Sequence, residues 1–371
     1  PHADLVLENR ALGGFAASRL IKPLPHDIYA FQPDLVIFHV FGGAEDYERI
    51  IHGIRQNTVA EVMIMTDHWK RNSLEEGTYV LEEHGKFMDQ VVLPAVAEKY
   101  GCERVDVRWA WKRYLDRHGL EPGDLVQDNV HLNDHGRWLM ARLCLRQMLF
   151  RPELMTDRSK NLVRTVRIPE DVAWEGSRLE LEFKGNRVDV VTDNDNGPAV
   201  SLEINGIPPS AHPELYTYTR PTSVISPPEW PCLMRIGRDA MPLEETWEIE
   251  LLEVSEDHET IRFRLTGSRT GYDGEGVSTE RFVSLSRRVM IEPDDWFIDH
   301  SHRLRDESAA PGMSFFWRCE PTHVDVFIPD YHLPGPGQTR TNTLFHGLIN
   351  TDHRLVLKHH GKTPPPIREL R

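Results

Sequence analysis

Pro33-Asp34-Leu35-Val36-Ile37-Phe38-His39-Val40-Phe41-Gly42-Gly43 is a near-continuous apolar, β-rich run closed by a glycine pair. That is the pattern of a strand buried on both faces of a parallel sheet. Asp4-Leu5-Val6-Leu7 before it and Glu61-Val62-Met63-Ile64-Met65 after it read the same way. Between the second and third runs, Tyr47, Ile50, Ile51 and Ile54 recur at helical spacing and share one face. Further helices are expected across Glu82 to Tyr100 and Asp134 to Phe150, the second turning Trp138, Leu139, Leu143 and Met148 toward the sheet. Strand and helix in alternation predict a doubly wound α/β domain over residues 1–152.

Beyond Arg151-Pro152 the period changes from helical to two. Leu179 to Phe183, Val188 to Val191, Trp247 to Leu252 and Thr260 to Leu265 alternate apolar and polar residues, with turn dipeptides Asn205-Gly206 and Asp273-Gly274 among them. Short strands spaced this way predict an antiparallel, jelly-roll-like β-sandwich over residues 156–360. Pro208-Pro209 and Pro227-Pro228 read as exposed loops, and residues 361–371, with Pro364-Pro365-Pro366, as a disordered tail.

A chain of 371 residues suggests two domains, and 39% hydrophobic residues with nine Trp and 26 Pro describe a folded protein. The formal charge of −15 argues against nucleic acid, which demands concentrated Lys and Arg, and favours neutral or weakly charged substrates. Arg281, Arg287 and Arg288 read as a solvated strand face. Cys102, Cys144, Cys232 and Cys319 are far apart with no Cys-x-x-Cys pair, so neither a zinc site nor a disulfide framework is signalled. No apolar run approaches the ~20 residues that span a bilayer, so no membrane partner is expected.

Gln127-Asp128-Asn129-Val130-His131-Leu132-Asn133 carries the chemistry. A carboxylate three residues before a histidine can hold one ring nitrogen while the other faces a cleft as a general base. An Asp beside a His also makes a structural helix cap. Position favours the dyad, because the segment precedes the last helix of an α/β domain, where strand C-termini and helix N-termini line the ligand crevice.

In chain order, Asn9-Arg10-Ala11-Leu12-Gly13-Gly14, the run from Pro33 to Gly43, and Asp128-x-x-His131 resemble the second, third and fifth sequence blocks of the SGNH (GDSL-type) hydrolases. The first block, a Gly-Asp-Ser carrying the nucleophile after the first strand, is absent, and position 1 is Pro rather than Met. The simplest expectation is a fragment that has lost its nucleophile-bearing strand and is inactive by itself. The resemblance implies that Gly14, or its neighbour Gly13, supplies an oxyanion N–H, worth on the order of 3 kcal/mol of barrier. A Gly-Gly pair after a strand also makes a tight turn. Asn9 reads as a turn-fixing side chain.

In the third block Gly43-Ala44-Glu45-Asp46 puts Glu45 where the family's second oxyanion donor, an Asn, is expected. An ionised carboxylate cannot donate. Either the hole has only backbone donors or His39 or His68 substitutes, although His39 within an apolar strand equally reads as a core histidine. His131 and His135 have helical i, i+4 spacing but lack the glutamate of a metalloprotease motif, and Asp193-Asn194-Asp195-Asn196-Gly197 lacks the last ligand of a calcium loop. No metal or cofactor is expected.

Appended β-sandwiches accompany the polysaccharide-deacylating branches of the family. The resemblance therefore implies an ester hydrolase, a carbohydrate O-acetylesterase working through a serine acyl-enzyme, with an acylated carbohydrate or small ester as partner and a secreted or periplasmic location. Tyr216, Tyr218, Trp230, Trp296 and Trp317 are available to stack on sugars or to fill a core. The alternative is a non-catalytic carbohydrate-binding protein that kept the fold. Oligomeric state is not legible.

Overall fold

The computed structural model describes residues 5–149, 162–193, 195–224, 230–329 and 339–371. The chain forms two compact units, one of Phe15–Ile21 and Gln32–Val163, the other of Pro1–Gly14, Lys22–Phe31 and Arg164–Arg371. Arg151-Pro152, Pro227-Pro228 and Asn194 lie outside the described residues.

The first unit holds a three-stranded parallel sheet of β1 (Leu35–Phe38), β2 (Glu61–Met65) and β3 (Glu103–Val105), with β2 in the middle. Val36 sits opposite Val62, and Met65 opposite Val105. All of β2 after Glu61 is buried, as a central strand requires. β1 departs from expectation: it is an edge, and Ile37 is 45% exposed while Val36 is buried. The strand expected at Leu5-Val6-Leu7 does not form; these residues are exposed and pair with no strand among the described residues.

The helices follow their apolar spacing. In α1 (Ala44–Asn57) Tyr47, Ile50, Ile51 and Ile54 are buried, and Glu45 and Asp46 in its first turn complement the helix dipole. The helical stretch of residues 83–100 has a wide turn at Met88–Val92 before α2 (Leu93–Tyr100). Pro94 explains it, having no N–H to offer the carbonyl four residues back. α3 (Val107–His118) starts on the Asp106 carboxylate, which accepts the Trp109 N–H at 3.1 Å. α4 (Asp134–Gln147) buries Leu139 and Leu143 against Met63, Met65, Trp111 and Leu115. Trp138 and Met148, expected on the same face, are exposed: Trp138 is turned about 100° around the helix from Leu139, and Met148 lies beyond the helix end.

The second unit is antiparallel. A five-stranded sheet runs Gly271–Val277, Ile261–Gly267, Glu245–Val254, Ser314–Pro321, Tyr216–Tyr218. A six-stranded sheet runs Val326–Phe327, Val200–Ile204, Thr339–His359, Arg178–Asp193, Ile367–Leu370, Val166–Arg167. Each has its own buried cluster, Trp247, Phe263 and Trp317 in one and Val190, Ile204 and Leu355 in the other, where a jelly roll would share a single core. The runs at residues 179–183 and 188–191 are one long strand. The expected tail is also a strand: a register shift between Ile367 and Glu369 turns both Ile367 and Leu370 inward. Asn205-Gly206 is the expected hairpin turn, with φ of 52° and 88°, but Asp273 is buried within a strand and accepts from the Ser286 N–H and hydroxyl.

A buried ion cluster sits in the same unit. Arg220 grips Asp27 with two hydrogen bonds of 2.8 and 2.9 Å, and His26 Nδ1 lies 3.0 Å from the same carboxylate. Burial alone would raise the Asp27 pKa, but His26 and Arg220 outweigh it and hold it at about 2.

Candidate active site

Residues 126–132 form a closed loop. Val126 bridges Leu132, and the Gln127 N–H donates to the His131 carbonyl at 2.8 Å. Within the loop Asp128 Oδ1 accepts the Val130 and His131 N–H groups at 2.7 and 2.8 Å. This fixes the carboxylate so that Oδ2 meets His131 Nδ1 at 2.7 Å. Those backbone donors, with the imidazole after them, hold the Asp128 pKa well below the usual carboxylate range. An ionised Asp128 makes His131 Nδ1 the donor and leaves Nε2 with its lone pair outward. The His131 side chain is 73% exposed, and Nε2 has no hydrogen-bond partner among the described residues.

The loop is braced from both sides. Asn133 caps α4 by accepting the Gly136 N–H at 3.0 Å, and its amide donates to the Asp124 carbonyl at 2.8 Å. Gly136 packs so close to the loop that a Cβ there would stand 2.1 Å from the Leu125 carbonyl oxygen. On the other side the buried His68 donates from Nε2 to the Val130 carbonyl at 2.8 Å, and Arg71 donates to the Asp128 and Asn129 carbonyls, both at 3.2 Å. Burial pushes the His68 pKa down, so the ring stays neutral.

A second acid–imidazole pair lies where β1 and β2 end. His39 Nε2 meets Asp67 Oδ1 at 3.0 Å, with Lys70 at 3.7 Å from the same carboxylate. Burial would raise the Asp67 pKa, but His39, Lys70 and Arg108 hold it well below its usual range. Beside it opens a cavity of about 160 Å³ lined by Phe41, Asp67, Lys70, His84, Asp89 and Arg108. Arg108 bonds Asp89, whose pKa burial raises.

Asp128 and His131 thus meet as their spacing predicts. His39 is neither a core residue nor a free donor, since its Nε2 faces Asp67, and the Nε2 proton of His68 is committed to Val130. Glu45 is exposed in the first turn of α1. Gly14, at φ 74°, belongs with Gly13 to the other compact unit, and Asn9 fixes a turn by accepting the Ala11 N–H at 3.1 Å. His135 bonds the Tyr114 hydroxyl at 2.7 Å. Sequence reading missed Arg71 and the bracing role of His68; the one signal was Asp67-His68 directly after a strand end, where α/β crevices form.

No family model matches the chain, and no curated protein matches it. Among solved structures it is similar to an acetyl xylan esterase, at 18% identity over 37% of this chain and 78% of that one, TM-score 0.32. An acetylxylan esterase from Geobacillus stearothermophilus is similar at 21% identity over 37% and 69%, TM-score 0.31. A two-domain esterase active on acetylated mannans is similar at 11% identity over 97% and 78%, TM-score 0.29.

Proposed function

We propose that the chain is part of an SGNH-type ester hydrolase, a carbohydrate O-acetylesterase, in which His131 is the general base and acid and Asp128 orients it. The observation that carries the reading is the Asp128 Oδ2 to His131 Nδ1 bond of 2.7 Å with Nε2 left open. The substrate class comes from the sequence resemblance.

In this scheme a serine hydroxyl from outside this chain gives its proton to His131 Nε2 as its oxygen attacks the ester carbonyl. The imidazolium that results is stabilised by the fixed Asp128 charge, and its proton passes to the leaving alcohol. Water, deprotonated by the same nitrogen, then releases the acyl group from the serine. Asp128 suits the role because its two backbone donors keep it ionised and immobile throughout.

The rival reading, a sugar-binding protein without catalysis, draws on the absence of a hydroxyl bonded to His131 Nε2 among the described residues. Hydrolysis of an aryl acetate separates them. A chain extended upstream through a Gly-Asp-Ser segment should turn it over, and the present chain should not exceed buffer. An extended chain that is equally inert, or an upstream sequence without that segment, would reject the enzyme.

A further inference from the structure

The groove between α3 and α4 is a concentration of positive charge in an acidic protein. Arg113 and Arg117 on α3 face Arg142 and Arg146 on α4 across a cleft of about 320 Å³, and no Asp or Glu lines it. Among the described residues none of the four arginines forms an ion pair. The nearby carboxylates are engaged elsewhere, Asp116 with Lys112 and Asp134 with Arg137. Four guanidinium groups held together without a counter-charge among the described residues repel one another, so an anion that enters is attracted by all of them.

The groove also has aromatic walls. Trp109 and Trp138 are 58% and 53% exposed, large apolar faces left in water. Tyr114, which also lines the groove, is fixed by its bond to His135, and Arg113 lies 4.5 Å over the Trp109 ring. The exposed Trp138 ring beside planar cations suits a ligand with flat apolar faces and carboxylates at its edge.

We propose that this groove binds a short acidic oligosaccharide, a carboxylated sugar chain of one to a few rings. Each helix sets its two arginines about 6 Å apart along the axis, a spacing that lets carboxylates on neighbouring rings be gripped bidentately. The cleft volume is at the lower end for ligand sites, which limits it to one or two rings at a time. A nucleic acid strand fits less well. Such ligands are held along extended basic tracks, whereas the arginines here are confined to one short cleft. None of the groove residues belongs to the Asp128–His131 pair, so the site stands whether or not that pair is catalytic.

The test is a calorimetric titration of the whole chain with tetragalacturonate, with mannotetraose and an octathymidylate as comparison probes. Saturable binding of tetragalacturonate that weakens with salt is expected, without binding of mannotetraose. Arg117→Gln/Arg146→Gln and Trp138→Ala, all at exposed positions, should each weaken it at least about tenfold at unchanged Tm. No saturable binding, equal binding of mannotetraose, unaltered binding by both variants, or tighter binding of the oligonucleotide would each overturn the proposal.

Discussion

Two Asp–His pairs in this molecule have nearly the same geometry and opposite fates. His26 stands 3.0 Å from Asp27, and His131 stands 2.7 Å from Asp128. In the first, the far ring nitrogen lies 3.2 Å from the Met234 carbonyl and Arg220 seals the carboxylate, so every polar atom of the cluster has a partner. In the second, the carboxylate is held by backbone N–H groups at the surface and the far nitrogen is left open. A short acid–imidazole bond therefore does not by itself separate a sealed pair from an open one; the environment of the second nitrogen does. His39–Asp67 falls between them, paired like the first and partly exposed like the second.

The sharpest way to break the comparison is mutation at each end. In an upstream-extended, active chain, His131→Ala should lower kcat/KM for an aryl acetate by about 10⁴-fold or more, with Tm unchanged because the side chain is exposed. Arg220→Ala should do the reverse, costing about 3–5 kcal/mol of unfolding free energy in urea melts, because it strips both Arg220 hydrogen bonds from the buried Asp27 carboxylate and leaves it only His26, with little change in kcat. Activity loss tracking stability loss in both variants would erase the distinction.

A smaller effect tests how the loop is held. Gly136→Ala must push the Leu125 carbonyl aside, at a cost of about 1–3 kcal/mol, and the resulting shift of the dyad loop should lower kcat by about 10²-fold. Kinetics on the extended chain together with a thermal melt would separate the two losses.

The smallest effect is on pH dependence. Burial, then the Arg187 charge, lowers the His346 pKa from 6.5 to about 4, so the unfolded chain binds a proton there before the folded one does, and stability should fall as pH drops from about 6.5 to 4. Asp27 acts lower. Its pKa is depressed from 3.8 to about 2, so its contribution is complete above the ordinary value and is lost as pH falls through about 2. Urea melts across this range should lose the upper slope in His346→Gln and the lower one in Asp27→Asn, while His131→Ala leaves both.

Local features were legible in the sequence because their causes are local. The α1 face of Tyr47, Ile50, Ile51 and Ile54, the burial of β2 and the Asp-x-x-His contact all follow from spacing within a few residues. What escaped depends on distant partners. Whether β1 is central or an edge is decided by a neighbouring strand, and the residue 367–370 strand exists because Arg178–Asp193 offers it a ladder. The bracing of the dyad by His68 spans 62 residues, a separation at which spacing carries no signal. The basic groove was hidden by an acidic total charge, since its arginines come from two helices and converge only in the fold.

The account rests on His131 carrying its proton on Nδ1, toward Asp128, with Nε2 free. The direct measurement is the nitrogen-15 NMR spectrum of the imidazoles at a pH where the His131 ring is neutral, assigned by comparison with His131→Ala. The account predicts an Nδ1–H tautomer for His131 that Asp128→Asn abolishes or mixes. An Nε2–H tautomer in the unaltered chain, or a spectrum indifferent to Asp128→Asn, would contradict it.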